Sequence, residues 1–443
     1  MLIALKPPPA TLLMLALLLA SCASPAPAPQ PSSPTAAHAT PTVLRPTELP
    51  TVQPPDLPAT VVRTPEPLGI RAGLAFTLNL FKQVSAEQHT SNVVLSPLSA
   101  GLALAIVANG ARDDTLRAML GVLSGDTATT LDQLNAHYAA LQSLLSRRGE
   151  EGLALRFANS IWMRQDWRFS ERFQTRIQQH YDAELRRLDF ADPAAPNAIN
   201  RWASEETEGR VPAILDRIPL EAVMYVLNAI YFKGSWATPF DQAATAQQPF
   251  FLADGSQKQV PLMYQRGKMR YLQGEDFQAV QLPYSGSLHT TVILPSVNTP
   301  LAQWLSTLSV DRWEEWQSQF AKREGELYLP RFTLKGDYRL AAALAALGMG
   351  VAFSNRANFY DMLASDQMPP IRISEVRQRT LLEVNELGAE AAAVTAVEMV
   401  ETALLPSAGE PFVMRVDRPF LLTVEDSQTG LPLFISAIFN PAP

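Results

Sequence analysis

The chain is poor in the residues that many enzymes use for chemistry. Its 443 residues include one cysteine, Cys22, and five histidines. With no second cysteine it cannot form an internal disulfide, and beyond residue 22 it has no thiol nucleophile. Four histidines lie scattered beyond the first 67 residues: His89, His137, His180 and His289. HExxH, GxSxG, Walker and dinucleotide-binding glycine patterns are all absent. We therefore predict no enzymatic activity, metal or cofactor.

An excess of positive charge is also missing. The formal net charge is −7, and the isoelectric point calculated from the sequence is about 5.4. A protein that binds nucleic acid or a heparin-like polyanion usually carries a broad basic surface. The charge balance therefore predicts no nucleic-acid partner and gives no sign of a heparin site.

The first 22 residues have the features of a secretory signal. Residues 12–20 form an apolar run that is too short to span a bilayer, and Lys6 precedes it. The run ends in Leu19-Ala20-Ser21-Cys22, which resembles the lipobox of bacterial lipoproteins. The resemblance implies that Cys22 is lipidated and becomes the N-terminus after cleavage. The alternative is an unmodified cysteine that follows an ordinary signal peptide.

Residues 23–67 have the composition of a spacer. They are rich in Pro, Ala, Thr and Ser and contain few charges. Such a segment buries too little apolar surface to offset its chain entropy, so we expect an extended, disordered linker. Together with a lipidated Cys22, the linker predicts an extracytoplasmic protein that is anchored to a membrane, with a folded domain at residues 68–443.

The order of predicted elements in the folded part indicates an α+β fold. Helical patterns dominate up to about residue 208, beginning with residues 70–84 and the run that follows Ser96-Pro97. Strand patterns dominate from residue 223 onward, interrupted by two helical stretches. Because helices and strands are segregated rather than alternating, we expect mostly antiparallel sheets.

Residues 383–397 have two incompatible interpretations. Their many Ala and Glu residues favour a helix. Read with a period of two, however, positions 389, 391, 393, 395, 397 and 399 form a small, uncharged face, whereas both Glu390 and Glu398 fall on the other face. That alternation is typical of a strand with one buried side. The segment therefore has the composition of a chain that could be an exposed loop in one state and a central strand in another.

Four motifs in the same order resemble those of the serpins. The first is Asn92-Val-Val-Leu-Ser-Pro-Leu-Ser99, and the second is Leu227-Asn-Ala-Ile-Tyr-Phe-Lys-Gly-Ser-Trp236. The third runs from Leu329-Pro-Arg-Phe332 to Ala352-Phe353, and the fourth begins with Val416-Asp-Arg-Pro-Phe-Leu421. The resemblance covers residues 68–443. It implies the serpin fold, with three β-sheets, about eight or nine helices and an exposed reactive-centre loop.

The resemblance also implies a mechanism: a serine protease cleaves the loop, which then inserts into the central sheet and traps the covalent acyl-enzyme. Residues that match the family's inhibitory hinge are Gly388, Ala389, Glu390, Ala391, Ala392, Ala393, Val394 and Thr395. Residues that match the gate of the sheet, called the shutter, are Ser96, Ser99, Asn228 and Gln378, with Trp236 as a further gating residue. The family usually has His where this chain has Gln378. Ser96 is equally well explained as a helix cap, and Trp236 as a core residue.

The resemblance places the scissile bond in the second half of the loop. Counting from Gly388 gives Thr402-Ala403, with Ala403-Leu404 and Leu404-Leu405 as alternatives. Small or aliphatic residues at these positions predict a target similar to elastase or subtilisin. No Arg or Lys lies between residues 384 and 411, which argues against trypsin-like proteases.

Two other functions fit parts of the sequence. A non-inhibitory serpin would act as a binding or scaffold protein, or as a plain protease substrate. A solute-binding lipoprotein is what the N-terminal signal alone would suggest. The sequence predicts a monomer that forms a covalent complex with its protease, and it leaves the identity of that protease open.

Overall fold

The computed structural model describes residues 67–88, 90–145, 153–181, 183–365, 370–389 and 410–442. The predicted lipidation site, most of the predicted hinge and the predicted scissile bond lie outside these ranges. Within them, no helix combines the length and the apolar character needed to cross a membrane.

The described part contains nine α-helices. They are α1 (Pro67–Gln88), α2 (Pro97–Ala108), α3 (Asp113–Ser124), α4 (Leu131–Leu145), α5 (Glu171–His180), α6 (Ala195–Glu206), α7 (Leu301–Ser306), α8 (Val310–Gln319) and α9 (Ala341–Leu344). Short 3-10 or π turns occupy Gln242–Ala244, Ala345–Met349, Gly350–Phe353 and Tyr360–Met362.

Fifteen strands are described. They are β1 (Val93–Leu95), β2 (Leu153–Arg164), β3 (Glu184–Leu188), β4 (Met224–Ser235), β5 (Ala246–Phe251), β6 (Gln257–Gln273), β7 (Phe277–Pro283), β8 (Leu288–Pro295), β9 (Ala321–Pro330), β10 (Phe332–Arg339), β11 (Glu375–Val384), β12 (Gly388–Ala389), β13 (Phe412–Arg415), β14 (Phe420–Asp426) and β15 (Pro432–Ile438).

The strands form two hydrogen-bonded sheets. The smaller sheet has the order β10-β11-β4-β2-β3, with the two residues of β12 paired to β4. The larger sheet has the order β1-β15-β14-β8-β7-β6-β9-β13, with β5 paired to β6. The 17-residue strand β6 joins its two halves. Counting those halves separately gives the three sheets that the sequence predicts.

Helix α2 passes through the centre of the core, and all twelve of its residues are buried. Pro97 occupies its first turn, where a missing backbone N–H costs nothing. The helix packs between α1, α3, β4 and β15. A second, smaller apolar cluster lies on the opposite face of the smaller sheet, where Trp202 of α6 packs near Tyr225 and Leu227 of β4. The first half of the central strand β4 is therefore covered on both faces.

The α+β fold is confirmed, and most strand pairs are antiparallel, as expected; three pairs are the exceptions. Strands β11 and β4 are parallel, as are β2 and β3, and β13 and β9. The sequence patterns also missed β3, β5 and β10. In each of these strands charged residues, prolines or glycines interrupt the apolar alternation.

A buried histidine makes the folded state sensitive to acid. His137 of α4 packs against Gly69 and Gly73 of α1, and both of its ring nitrogens are shielded from solvent without a hydrogen-bond partner among the described residues. Burial disfavours the imidazolium ion and lowers the pKa of His137 to about 4. In the unfolded chain the pKa is close to 6.5. Between these two values the unfolded chain binds more protons, so stability falls as the pH falls.

We predict that the free energy of unfolding decreases by about 2 kcal/mol more in the wild type than in His137→Leu between pH 7 and pH 5. The leucine variant removes the titrating group but keeps an apolar side chain against the two glycines. Urea titrations of both proteins at the two pH values provide the measurement. Equal losses in the two proteins would show that the pKa of His137 is the same in the fold as in the unfolded chain.

Candidate functional site at the hinge of the smaller sheet

Strand β4 carries an opening on one side. Residues 225–229 pair in parallel with residues 375–379 of β11. At the other end, Gly234 and Ser235 pair antiparallel with the two residues of β12. Between these contacts, residues 230–233 pair only with β2, on the opposite edge, within the described part of the chain. The sheet therefore has a gap of four residues between β11 and β4, and the chain enters this gap at β12.

A tight turn directs the chain from β11 into the gap. The Asn385 side-chain oxygen accepts the backbone N–H groups of Leu387, at 2.9 Å, and Gly388, at 3.2 Å. The backbones of Asn385 and Gly388 are also hydrogen-bonded to each other in both directions. Gly388 has a φ of 142°, and a Cβ atom there would overlap the carbonyl oxygen of Gly234. Only glycine fits this close approach.

Contacts of Glu386 with residues outside the turn hold the turn in place. Its side chain is almost fully buried and accepts a hydrogen bond from the Thr245 hydroxyl at 2.8 Å. The Arg331 guanidinium lies 3.3 Å from the same carboxylate oxygen. The Phe240 backbone N–H donates to the Glu386 carbonyl oxygen at 2.8 Å. Because a buried carboxylate is stable only with such partners, these contacts hold the start of the hinge in place.

Trp236 links the hinge to the core, so both functions considered for it are compatible. Its indole N–H donates to the carbonyl oxygen of Asn385 at 2.9 Å, and its backbone N–H donates to that of Leu387 at 3.0 Å. The indole ring stacks on Tyr284, with ring centroids 4.5 Å apart. The side chain is 3% exposed. Trp236 is thus a packed core residue whose polar atom holds the hinge backbone.

The predicted shutter lies where β11 and β4 are still paired. The Gln378 amide donates to the Ser96 carbonyl oxygen at 2.8 Å and to the Asn228 side-chain oxygen at 3.2 Å. Its own oxygen accepts the Ser96 backbone N–H at 2.9 Å. The Asn228 amide in turn donates to the Asn159 side-chain oxygen of β2 at 2.8 Å. This chain of amides connects β11, β4 and β2, and the first link must break if the strands separate.

The serines of the predicted shutter contribute differently. Ser96 takes part through its backbone, and the Ser96 and Ser99 hydroxyls have no hydrogen-bond partner among the described residues. Ser96 also precedes α2 without making a side-chain cap.

The sequence did not predict a role for Asn159, Thr245 or Asn385, since nothing near them in the sequence shows which residues they will contact. Arg331 belongs to the third serpin-like motif, but the motif does not indicate that it contacts Glu386.

Most of the predicted loop lies outside the described residues. This holds for Glu390, Ala391, Ala392, Ala393, Val394, Thr395, Thr402 and Ala403; the predicted lipidation site Cys22 also lies outside the described residues. The structure does place both ends of that segment. Ala389 pairs with Gly234 at the top of β4, and the Glu410 carbonyl oxygen accepts a hydrogen bond from Arg323 at 2.9 Å, close to the start of β13.

The buried amide of Gln378 gives a stability prediction. In Gln378→Leu, two backbone groups of Ser96 and the Asn228 oxygen lose a buried partner, each at a cost of about 1–3 kcal/mol. We expect the free energy of unfolding of the intact protein to fall by about 3 kcal/mol or more. Gln378→His restores part of these bonds and adds a pH dependence between pH 5 and 8 that the wild type lacks at this position. Urea unfolding midpoints at pH 5 and pH 8 test the predicted order of stability, which is wild type, then Gln378→His, then Gln378→Leu. A leucine variant as stable as the wild type would contradict the prediction.

Comparison with known proteins supports the resemblance seen in the sequence. A profile of the family described as Serpin (serine protease inhibitor) matches residues 71–441. The leukocyte elastase inhibitor of Sus scrofa is 32% identical over 383 residues, covering 84% of this chain and 98% of that protein. The corticosteroid-binding globulin of Oryctolagus cuniculus is 30% identical over 379 residues, covering 84% and 95%.

A solved structure agrees with the fold. The native state of tengpin, a thermophilic serpin, has a TM-score of 0.78 to this chain at 29% identity, covering 85% of this chain and 95% of the other. The relatives are inhibitors or binding globulins rather than enzymes, and this chain is not an enzyme in the catalytic sense. The family match, the sheet order and the hinge geometry lead to one assignment: this chain belongs to the serpin family.

Proposed function

We propose that this serpin is a suicide-substrate inhibitor of serine endopeptidases. The observation that carries the proposal is the register of β12 on β4. Gly388 pairs with Ser235 and Ala389 with Gly234. Continued one residue at a time, that register pairs Glu390 with Lys233 and Ala393 with residue 230. Residues 390–393 would therefore fill the gap of four residues, and only later residues would have to displace β11.

The same register supports the proposed inward face of the loop. Even-numbered residues of β4, such as Val226 and Phe232, belong to the main core, whereas Tyr225 and Leu227 face the cluster around α6. Directly paired residues lie on the same face of a sheet. Ala391 would therefore face the main core beside Phe232, and Glu390 would face outward beside the half-exposed Lys233. The small residues would enter the close-packed side.

The chemistry that this insertion would interrupt is acyl transfer. The protease serine oxygen attacks the Thr402 carbonyl carbon, and the bond to the Ala403 nitrogen breaks as that nitrogen takes a proton. Thr402 is then held to the protease as an ester. If the loop inserts before water attacks the ester, the protease is carried away with Thr402 and its active site is distorted. Slow insertion instead releases a cleaved, inactive inhibitor.

An elastase- or subtilisin-like protease is the proposed target. Thr402, Ala403, Leu404 and Leu405 offer only small or aliphatic side chains to a specificity pocket. A relative at 32% identity is named as an inhibitor of leukocyte elastase.

A denaturing gel after incubation with an elastase tests the proposal. A covalent band at the summed mass, absent with the same protease inactivated at its catalytic serine, is the expected result. Clean cleavage with no such band would instead support the second candidate, a non-inhibitory serpin. The similarity to a corticosteroid-binding globulin supports this second candidate. Because the chain belongs to the serpin family, we no longer consider the third candidate, a solute-binding lipoprotein.

We further propose that the protein is a monomeric lipoprotein, held outside the cytoplasm by Cys22 and the linker at residues 23–67. The lipobox-like sequence before Cys22 supports this. Growth with an alkyne-labelled fatty acid should label the wild type but not Cys22→Ser, and the variant should leave the membrane fraction. Label on the serine variant, or a wild type that stays unlabelled and soluble, would disprove the anchor. Light scattering of the Cys22→Ser variant, measured without detergent, tests whether the protein is a monomer.

A further inference from the structure

A cavity of about 560 Å³ opens between α1 and α7. It shares no residue with the hinge turn, the shutter or the chain on either side of the proposed loop. Besides the two helices, its walls include Leu347, in the turn after α9, and Phe439, which follows β15. Sites for small molecules are typically about 300–1,000 Å³ in volume and combine apolar walls with a few polar groups. The α1–α7 cavity therefore has the size of a ligand site.

Apolar side chains form the floor of the α1–α7 cavity. Leu305 of α7 and Phe439 are buried, and Leu347 is half-buried. Ala86 of α1 and Ala302 of α7 also line the cavity but are exposed, and their methyl groups leave room at its opening. An aliphatic group that covers this floor would remove apolar surface from water, which favours binding.

The charge of the cavity comes from one residue of α1. In the described part of the chain, Lys82 is the one charged residue that lines it. The Lys82 ammonium donates a hydrogen bond to the Leu308 carbonyl oxygen at 2.9 Å, beyond the C-terminal end of α7. An ammonium group has three N–H donors, and no described carboxylate pairs with this one. Two donors and the positive charge therefore remain for a ligand, which should be an anion.

Other polar side chains of α1 surround Lys82 without hydrogen-bond partners among the described residues. Asn79 and Gln83 lie on the same face of the helix, three residues before and one residue after it. The Ser85 hydroxyl is buried, with the residue 8% exposed, and also has no partner. A buried hydroxyl without a partner lowers stability, and a ligand oxygen would satisfy it. Because Lys82 and Ser85 are three residues apart on a helix, one carboxylate can contact both.

We propose that the α1–α7 cavity binds a medium-chain fatty acid. The carboxylate would accept hydrogen bonds from the Lys82 ammonium and the Ser85 hydroxyl, and the aliphatic tail would cover Leu305, Leu347 and Phe439. The ligand would thus join α1, α7 and the segments that follow α9 and β15, and its binding would stabilise the intact fold. This site is separate from the loop and does not depend on protease inhibition.

Calorimetric titration with octanoate at pH 7, where its carboxyl group is ionised, tests the proposal. The Cys22→Ser protein is used, because an acyl chain attached to Cys22 could compete for the cavity. We expect one site with a dissociation constant on the order of 0.1 mM. Octan-1-ol, which has the same tail without the charge, should bind at least about tenfold more weakly. At 10 mM, about a hundredfold above the dissociation constant, octanoate should raise the melting temperature by about 5 °C.

Variants of the lining residues connect this binding to the cavity. Lys82→Met keeps the unbranched stem and should weaken octanoate binding about tenfold, whereas Lys258→Met, at an exposed position on β6, should leave it unchanged. Ser85→Ala should weaken binding about fivefold without lowering the urea midpoint, since the hydroxyl has no partner in the fold to lose. Ala302→Trp places a large side chain at the exposed opening and should abolish binding.

Three results would overturn the site or its ligand. Absence of octanoate binding at 10 mM, or equal dissociation constants for the wild type, Lys82→Met and Ala302→Trp, would overturn the site. Octan-1-ol that binds as tightly as octanoate would overturn the anionic ligand. An acetylated dipeptide that ends in leucine and binds more tightly than octanoate would replace the fatty acid by a peptide C-terminus. None of these results would change the covalent band expected with an elastase, so the two proposals can fail separately.

Discussion

Replacing Ala391 with Arg is expected to convert the protein from an inhibitor into a substrate. If the loop continues the register of β12 on β4, residue 391 would lie beside Phe232, on the face that packs into the main core. Phe232 is 5% exposed, and its ring centroid lies 5.1 Å from that of Tyr284 and 6.1 Å from that of Phe434. An arginine there would be placed against these packed aromatic rings, and burying an unpaired charge costs several kcal/mol.

The matched control for this prediction is Ala392→Arg. It places the same side chain one residue further along, on the outward face of the proposed strand. A barrier raised by several kcal/mol slows insertion by about a hundredfold or more, since 1.4 kcal/mol corresponds to a factor of ten. The ester of Ala391→Arg should therefore hydrolyse before insertion, giving cleaved serpin and active protease. Ala392→Arg should retain most of its covalent band.

Titration of elastase with each variant measures this difference as the number of inhibitor molecules consumed per protease molecule inactivated. We expect a value near that of the wild type for Ala392→Arg and a large increase for Ala391→Arg. The reverse order would show that the loop enters the sheet one residue out of register. Equal values for the two variants would show that residues 391 and 392 do not enter the sheet.

The elements that the sequence predicted well are those whose signal is local. Helix α2 combines Pro97 at its start with an apolar run in which Ser99 is the one polar residue, because it is buried on all sides. Strand β11 begins at Glu375, but only residues 381–384 have a clear strand pattern in the sequence. Its first half contains Arg377, Gln378 and Arg379, whose polarity is balanced by partners distant in sequence. Both arginines pair with Asp337 of β10, at 2.8 Å.

Strand β10 was missed for a related reason. Gly336 lies in its middle, and glycine lowers the strand signal of a sequence. In the fold a Cβ atom at that position would overlap the Thr380 hydroxyl and the carbonyl oxygen of Val94. The residue is therefore fixed by the close approach of β1 and β11, which no local pattern reveals. The hinge could be predicted because its alternation is local, whereas the gap beside β4 that would receive it is a property of the assembled sheet.

Cleaving the loop is expected to make the protein more stable, although a peptide bond has been lost. Among the described residues of the intact chain, only Gly388 and Ala389 pair with β4 beyond the turn, and residues 230–233 lack a partner on that edge. After cleavage near Thr402, residues 390–399 would be free to continue the strand. Each gains ladder hydrogen bonds worth about 1 kcal/mol net, so the total gain is on the order of 10 kcal/mol. The fold would then reach an arrangement that the uncut loop cannot enter.

The melting temperatures of intact and nicked protein measure this stored free energy. A change of 1 kcal/mol moves the melting temperature of a domain larger than 150 residues by about 2 °C, so we expect the nicked wild type to melt about 20 °C higher. Nicked Ala391→Arg should show much less of this rise, because its loop is blocked at the first inward position beyond Ala389. A nicked wild type that melts at or below the intact protein would mean that no strain is stored, and insertion could then not outrun hydrolysis of the ester.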